Sequence, residues 1–103
     1  MKKIPTFHEN KIARLKDPEF ALGYLNETLK DDDRRVFLIA LRDVAEAYGG
    51  IGKISKLTKI SRENLYRMLS TSGNPEFQTL QLLLESIGFR IAIEPKTKFK
   101  KAA

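Results

Sequence analysis

The sequence contains no cysteine, no tryptophan and only one histidine, His8. Because it has no thiol, the chain can form neither a disulfide framework nor a thiolate metal site. Its longest apolar run covers six residues, Val36 to Leu41, far fewer than the roughly 20 that cross a bilayer. Two lysines follow Met1, but Pro5 and polar residues stand where a signal peptide would have its apolar stretch. The sequence therefore predicts a cytoplasmic chain without a membrane segment.

Charge is distributed unevenly along the 103 residues, a length that corresponds to one domain. Residues 1–48 carry nine basic and nine acidic side chains, whereas residues 49–103 carry ten basic and four acidic ones. The whole net charge of +6 thus lies in the second half. This asymmetry suggests an anionic partner for that half. A solvated basic surface with a lysine tail is the alternative, and charge alone does not decide between them.

Helix-start and helix-stop signals predict five helices after a weakly patterned N-terminal segment. Asp17, Ser61 and Asn74 are predicted N-caps, and a proline follows both Asp17 and Asn74 at the first helical position. The helix over residues 34–48 is apolar around most of its circumference, which predicts a central place in a bundle. Within residues 1–16 only a short helix around residues 10–15 is indicated.

A switch to period two after the last helix predicts one C-terminal β-strand over residues 89–94. A single strand in a helical chain would expose an unpaired edge, so we expect it to pair with the same strand of a second copy across a two-fold axis. The predicted dimer interface consists of Phe89, Arg90, Ile91, Ala92 and Ile93. The predicted organisation is an N-terminal segment (1–16), a mainly α domain (17–95) and a basic tail (96–103).

Residues 51–70 have the layout of a helix-turn-helix, in which two short helices cross steeply and the second is free to enter the major groove of DNA. Ser55 is the small residue required where the helices touch, and Ile60 is the apolar residue after the turn. The inner face of the second helix is formed by Leu65, Met68 and Leu69.

The polar side of this second helix supplies the candidate DNA-binding residues. Projection at 100° per residue, together with exposure of the first turn, gives the predicted base-reading residues Arg62, Glu63, Asn64, Tyr66, Arg67 and Ser70. The predicted phosphate contacts are Gly52, Lys53, Lys56 and Lys59. From residue 53 to residue 67 there are five basic side chains and one acidic one, more than a merely solvated face needs. The pattern therefore favours nucleic acid as the partner.

The chain resembles the addiction module antidote family of HigA-like antitoxins. The resemblance is carried by residues 40–50, 61–70, 73–75 and 80–88. Residues 15–19 and 24–25 also look like that family, so the resemblance covers about residues 12–95. It implies a five-helix Xre/lambda-repressor-like fold, without cofactor or small-molecule ligand. It also implies a homodimer that binds a double-stranded DNA operator, represses its own operon and neutralises a toxin, a small ribosome-dependent ribonuclease of the RelE/HigB kind. One residue departs from the pattern, since Lys59 stands where this turn usually has glycine.

Three other functions remain open at this point. A stand-alone phage-type repressor would have the same motif without a toxin, and an interaction module would keep the fold but bind only protein. A small basic nuclease has little support, because the lone His8 belongs to no cluster with the spacing of a catalytic or metal site. The glycines at 49–52 lack the other residues of a phosphate-binding loop. By elimination, the neutral residues 1–48 are the predicted toxin contact.

Overall fold

The computed structural model describes residues 6–70 and 72–97 of the chain. Within these two ranges the regular secondary structure consists of six α-helices. They are α1 (Phe7–Leu15), α2 (Pro18–Leu29), α3 (Arg34–Ala47), α4 (Gly50–Thr58), α5 (Arg62–Met68) and α6 (Phe77–Ser86). Helices α1, α2 and α4 pack against α3, and α4 also packs against α5 and α6. None of the helices in these two ranges is long and apolar enough to cross a membrane.

Side-chain caps fix four of the helix starts, and those of α2, α3 and α5 are single acceptors. Asp17 accepts a hydrogen bond from the Glu19 N–H at 3.0 Å, with Pro18 at the first helical position of α2. Asp33 accepts from the Arg35 N–H at 3.0 Å at the start of α3. Ser61 accepts from the Asn64 N–H at 3.1 Å at the start of α5. Each cap satisfies a backbone donor that has no partner inside its helix, and the predicted N-caps at Asp17 and Ser61 are confirmed.

The predicted count of five helices is wrong, because α1 is a complete additional helix. Thr6 accepts from the Glu9 N–H at 3.0 Å, and the Glu9 carboxylate accepts from the Thr6 N–H at 3.3 Å. This reciprocal capping box starts the helix at Phe7, ahead of the indicated residues 10–15. Leu15 at its other end is fully buried in the core. The predicted N-terminal segment therefore contains an ordered element, and its residues 1–5 lie outside the described part of the chain.

The predicted C-terminal strand is also wrong, since residues 89–94 have no regular secondary structure. Gly88, at a left-handed φ of 93°, ends α6. The Phe89 N–H then donates to the Leu84 carbonyl at 2.8 Å, and the Gly88 N–H donates to the Glu85 carbonyl at 3.1 Å. This is a Schellman-type helix end, so the backbone of Phe89 caps α6. The described residues of this single chain also offer no neighbouring strand to form a ladder. Of the predicted basic tail, residues 98–103 are outside the described ranges.

The last helix begins later than predicted. We expected Asn74 as the N-cap, but α6 starts at Phe77 and its N-cap, Glu76, makes no side-chain capping bond. The Asn74 side-chain oxygen accepts from the Arg34 guanidinium at 3.4 Å. This contact anchors the loop before α6 to the start of α3.

Helix α3 is the centre of the core. Phe37, Leu41 and Val44 form a buried stripe along it, as their +4, +3 spacing predicts. The core continues through the fully buried Ile54 of α4 and Leu65 of α5. Helices α3, α4 and α5 therefore share one apolar core. Burial of apolar surface stabilises the folded state by about 25 cal/mol per Å².

One buried carboxylate joins the first three helices. Asp43 on α3 is only 6% exposed, and it accepts hydrogen bonds from the Lys11 ammonium at 3.2 Å and the Tyr24 hydroxyl at 3.0 Å. Burial and the hydrogen bond to Asp43 raise the pKa of Tyr24. Partial burial alone would lower the pKa of Lys11, but the hydrogen bond and charge of Asp43 outweigh it and raise that pKa. The contact keeps Lys11 of α1 charged against α3.

The turn between α4 and α5 holds a side chain in an unfavourable backbone conformation. Lys59 has a left-handed φ of 62°, among the described residues the only positive φ outside glycine. Its N–H donates to the Ser55 carbonyl at 2.8 Å, and the Ser55 hydroxyl donates to the Ile60 carbonyl at 2.6 Å. These bonds hold the turn although a non-glycine residue costs about 1 kcal/mol there.

We expect Lys59→Gly to raise the free energy of unfolding by about 1 kcal/mol, because glycine adopts this conformation without steric cost. Lys56→Gly is the matched control: it removes the same charge from the last turn of α4, where the backbone is helical and glycine lowers stability instead. Urea unfolding at one protein concentration measures both. Equal losses of stability in the two variants would contradict a strained turn.

Candidate nucleic-acid interface

Helix α5 presents one buried and one exposed side. Its inner residues Leu65 and Met68 are buried, as is Leu69 at its end. The five predicted base-reading residues within the helix are all exposed: Arg62, Glu63, Asn64, Tyr66 and Arg67. Within residues 6–70 and 72–97, the polar side of α5 is thus left largely uncovered.

Arg67 is held in place by neighbours on its own helix. Its guanidinium donates to the Asn64 side-chain oxygen at 3.3 Å and to the Glu63 carboxylate at 3.4 Å. The Arg67 and Glu63 side chains are 70% and 84% exposed, so the ion pair adds little stability. It does limit the orientations of the guanidinium on the open side of the helix.

Ser70 differs from the other predicted base-reading residues. It lies beyond the end of α5 and is half-buried. Its hydroxyl donates to the Arg67 carbonyl at 2.8 Å, and its N–H donates to the same carbonyl at 3.3 Å. The hydroxyl also lies 3.3 Å from that of Ser72. Ser70 therefore helps to close the helix end.

Arg62 turns back toward α4. A methyl group built on Gly52 would come within 3.0 Å of an Arg62 terminal nitrogen and 3.4 Å of its guanidinium carbon. The guanidinium therefore lies directly over the Gly52 backbone. The Gly52 N–H belongs to the first turn of α4, where backbone donors have no acceptor within the helix.

Three predicted phosphate contacts are exposed lysines on α4 and the turn: Lys53, Lys56 and Lys59. No ion pair is formed by any of them within the described ranges. Together with Arg62 and Arg67 they give the segment from α4 through α5 an excess of positive charge. Such a surface attracts anions at long range.

Two depressions border α5. A cleft of about 410 Å³ lies between Asn64 and Arg67 on one side and the loop into α6 on the other. A second, of about 380 Å³, places Tyr66 beside Arg42 and Glu46 of α3. Sequence reasoning missed Arg42, because only the packing of α3 against this region brings its charge to the edge of α5. The Glu46 carboxylate also lies 3.2 Å from the ring nitrogen of His8 on α1.

The residues predicted for a dimer interface fall into two groups. Phe89 is half-buried against the core, its ring centroid 6.1 Å from that of Tyr48. Arg90, Ile91, Ala92 and Ile93 are exposed. Ile91 lines a groove with Leu22 and Leu29 of α2, which are themselves exposed. Ile93 is 97% exposed, so this end of the molecule presents apolar side chains to solvent.

A metal centre has no support in the part of the chain that the structure describes, since no three His, Asp or Glu side chains are grouped there to hold an ion. The exposed polar groups on α5 and the cations on α4 are hydrogen-bond donors and point charges. Their chemistry suits recognition of an anionic polymer.

Comparison with known proteins places the chain in a family. Residues 6–95 match the model of a family described as "Probable addiction module antidote protein". An uncharacterized protein of Haemophilus influenzae is 37% identical over 71 residues, which cover 69% of this chain and 72% of that protein. No solved structure gives a significant match. The family match spans most of the chain, which therefore belongs to the addiction module antidote family.

Proposed function

We propose that the chain is the sequence-specific DNA-binding antitoxin of a type II toxin–antitoxin module. As a homodimer it binds an inverted-repeat operator, represses its own operon and neutralises a small ribosome-dependent ribonuclease of the RelE/HigB kind. Membership of the antidote family implies the cognate toxin. The polar exposed side of α5 supports the DNA-binding role, in which α4 and α5 act as an Xre-type helix-turn-helix.

The observation that carries this proposal is the set of donors and acceptors on the open side of α5. Arg67 can donate two hydrogen bonds to guanine O6 and N7, and Asn64 can bond bidentately to adenine. Glu63 can accept from cytosine N4, and the Tyr66 ring offers an apolar edge to a thymine methyl. Because Glu63 and Asn64 already brace Arg67, less side-chain freedom is lost on binding.

The dimer in this proposal uses the apolar surface at the end of the chain, without strand pairing. Ile91 and Ile93 lie there, and Leu22 and Leu29 of α2 extend the same exposed surface. Apolar side chains clustered in this way mark protein contacts. A two-fold axis would present two copies of α5 to half-sites about 34 Å apart, one turn of DNA.

A stand-alone repressor differs from this proposal only in having no toxin. The family description names an antidote, which favours the toxin–antitoxin pair. Catalysis is no part of the proposed role, since repression and toxin neutralisation are both binding events.

For the DNA duplex upstream of the chain's own gene, we expect the dimer's log K to fall with log salt at a slope of about −5 to −9. Arg67→Ala should cost about 1–3 kcal/mol and relax sequence preference, because a base contact is lost. Lys56→Ala should weaken all sequences alike and flatten the slope. Lys30→Ala is the control without effect, because Lys30 is the C-cap residue of α2 and is already paired with Glu27. Fluorescence anisotropy measures the affinity and salt dependence of the wild type and the three variants. Identical losses and slopes for the Arg67 and Lys56 variants would contradict the division between base and phosphate contacts.

We expect Ile93→Glu to convert the dimer to monomer, because it places two charges in the proposed apolar contact. The substitution cannot disturb the core, since Ile93 is 97% exposed. Phe77→Glu, on the exposed start of α6, is the matched control that stays dimeric. Sedimentation equilibrium at micromolar concentration distinguishes them. A monomeric wild-type chain would refute the proposed dimer.

Neutralisation is expected to be separable from DNA binding. Expression of the toxin from the adjacent reading frame should arrest cell growth, and co-expression of this chain should restore it. The Arg67→Ala variant should restore growth equally well but lose repression of an operon reporter. The reason is that the predicted toxin contact lies in residues 1–48, a range that does not include Arg67. If Arg67→Ala lost neutralisation and repression together, the two surfaces would be the same.

A further inference from the structure

Two glycines at the start of α4 lie beneath two cationic side chains. A methyl group on Gly52 would crowd the Arg62 guanidinium, with 3.0 Å to the nearest nitrogen. A methyl group on Gly49, one turn earlier, would overlap the Lys53 side chain at its Cδ atom. The absence of a side chain at Gly52 therefore leaves room for the Arg62 guanidinium against the first turn of α4, and its absence at Gly49 leaves room for the methylene chain of Lys53.

The backbone does not explain Gly52. Gly49 has a φ of 113° and Gly50 a φ of 84°, conformations that favour glycine, but Gly52 is not among the residues with positive φ. At an ordinary helical position alanine is more stable than glycine. A methyl group on Gly23, in the middle of α2, would meet no atom within 4 Å, so crowding is a property of Gly52 and not of helical glycine in general.

The Arg62 guanidinium lies against the start of α4 without an opposite charge from the described residues. Arg62 and Lys53 have like charge and make no ion pair within residues 6–70 and 72–97. The start of a helix carries partial positive charge, which disfavours cations. Folding therefore gains nothing electrostatically from placing the Arg62 guanidinium there, whereas a bound anion would offset its charge. A guanidinium suits phosphate in particular, because its planar donors can bond two oxygens at once.

We propose that Gly52 is a positioning residue, which seats the Arg62 guanidinium against α4 so that Arg62 and Lys53 bind the phosphate backbone of the DNA. Arg62 then contributes affinity for every sequence, in place of the base-reading role that helix projection predicts for it. This inference rests on the proposed DNA-binding function and assigns one of its arginines to a different part of the duplex.

The test compares Gly52→Ala with the matched control Gly23→Ala, and both with Arg62→Ala and the double variant Gly52→Ala/Arg62→Ala. Anisotropy measures binding at low salt to two labelled duplexes of equal length, the one upstream of the chain's own gene and one of mixed sequence. Thermal unfolding measures stability in parallel.

We expect Gly52→Ala to weaken both duplexes by about tenfold, as befits disturbance of a charged hydrogen bond, with unchanged or higher thermal stability. Gly23→Ala should bind like the wild type. In the Arg62→Ala background, Gly52→Ala should cause no further loss of affinity, because its effect acts through the guanidinium.

Three results would contradict the proposed positioning of Arg62 by Gly52. Gly52→Ala could bind like the wild type, its loss could add fully to that of Arg62→Ala, or Arg62→Ala could weaken only the upstream duplex, which would make Arg62 a base reader. Lower stability of Gly52→Ala with unchanged binding would show a purely structural packing of Arg62 on α4. Failure of the wild-type chain to bind either duplex would instead refute the DNA-binding function on which the proposed role of Gly52 rests.

Discussion

A helix of seven residues is not stable alone in water, so α5 exists only through its contacts. Leu65 is fully buried, and the helix packs against α4. Helix α4 in turn packs against α3 and α6 with Ile54 at its centre. Burial of one side of α5 thus keeps the helix folded while its polar side stays exposed. Any binding role of that polar side depends on this division.

Local signals in the sequence predict those parts of the fold that local chemistry decides. Asp17 and Ser61 accept the backbone bonds predicted for them, because an N-cap needs only its own next two or three residues. The capping box of Thr6 and Glu9 is equally local, and reading it would have given α1. The strand was wrong for the opposite reason: alternation in residues 89–94 describes side chains, whereas a strand also needs a hydrogen-bonded partner. Asn74 has the residue type of a cap but lies bound to Arg34, which is distant in sequence.

The candidate site divides in the same way. Helical projection is sufficient to find the exposed positions on α5, since exposure follows from the period of Leu65 and Met68. No sequence pattern predicts the approach of Arg62 to Gly52 or the position of Arg42 beside Tyr66. Both depend on how separate helices meet. The left-handed Lys59 lies between these cases, because its departure from glycine is visible in the sequence but its conformation is not.

The shared carboxylate of Asp43 ties the integrity of the fold to its first helix. If a protease removed α1, Asp43 would lose the ammonium of Lys11 and keep one neutral donor, the Tyr24 hydroxyl. The same cut would take the fully buried Leu15 out of the core, so apolar burial would be lost together with this charge pair. Trimming the amino-terminal end would therefore loosen α3 from within, and through α3 the helices that depend on it.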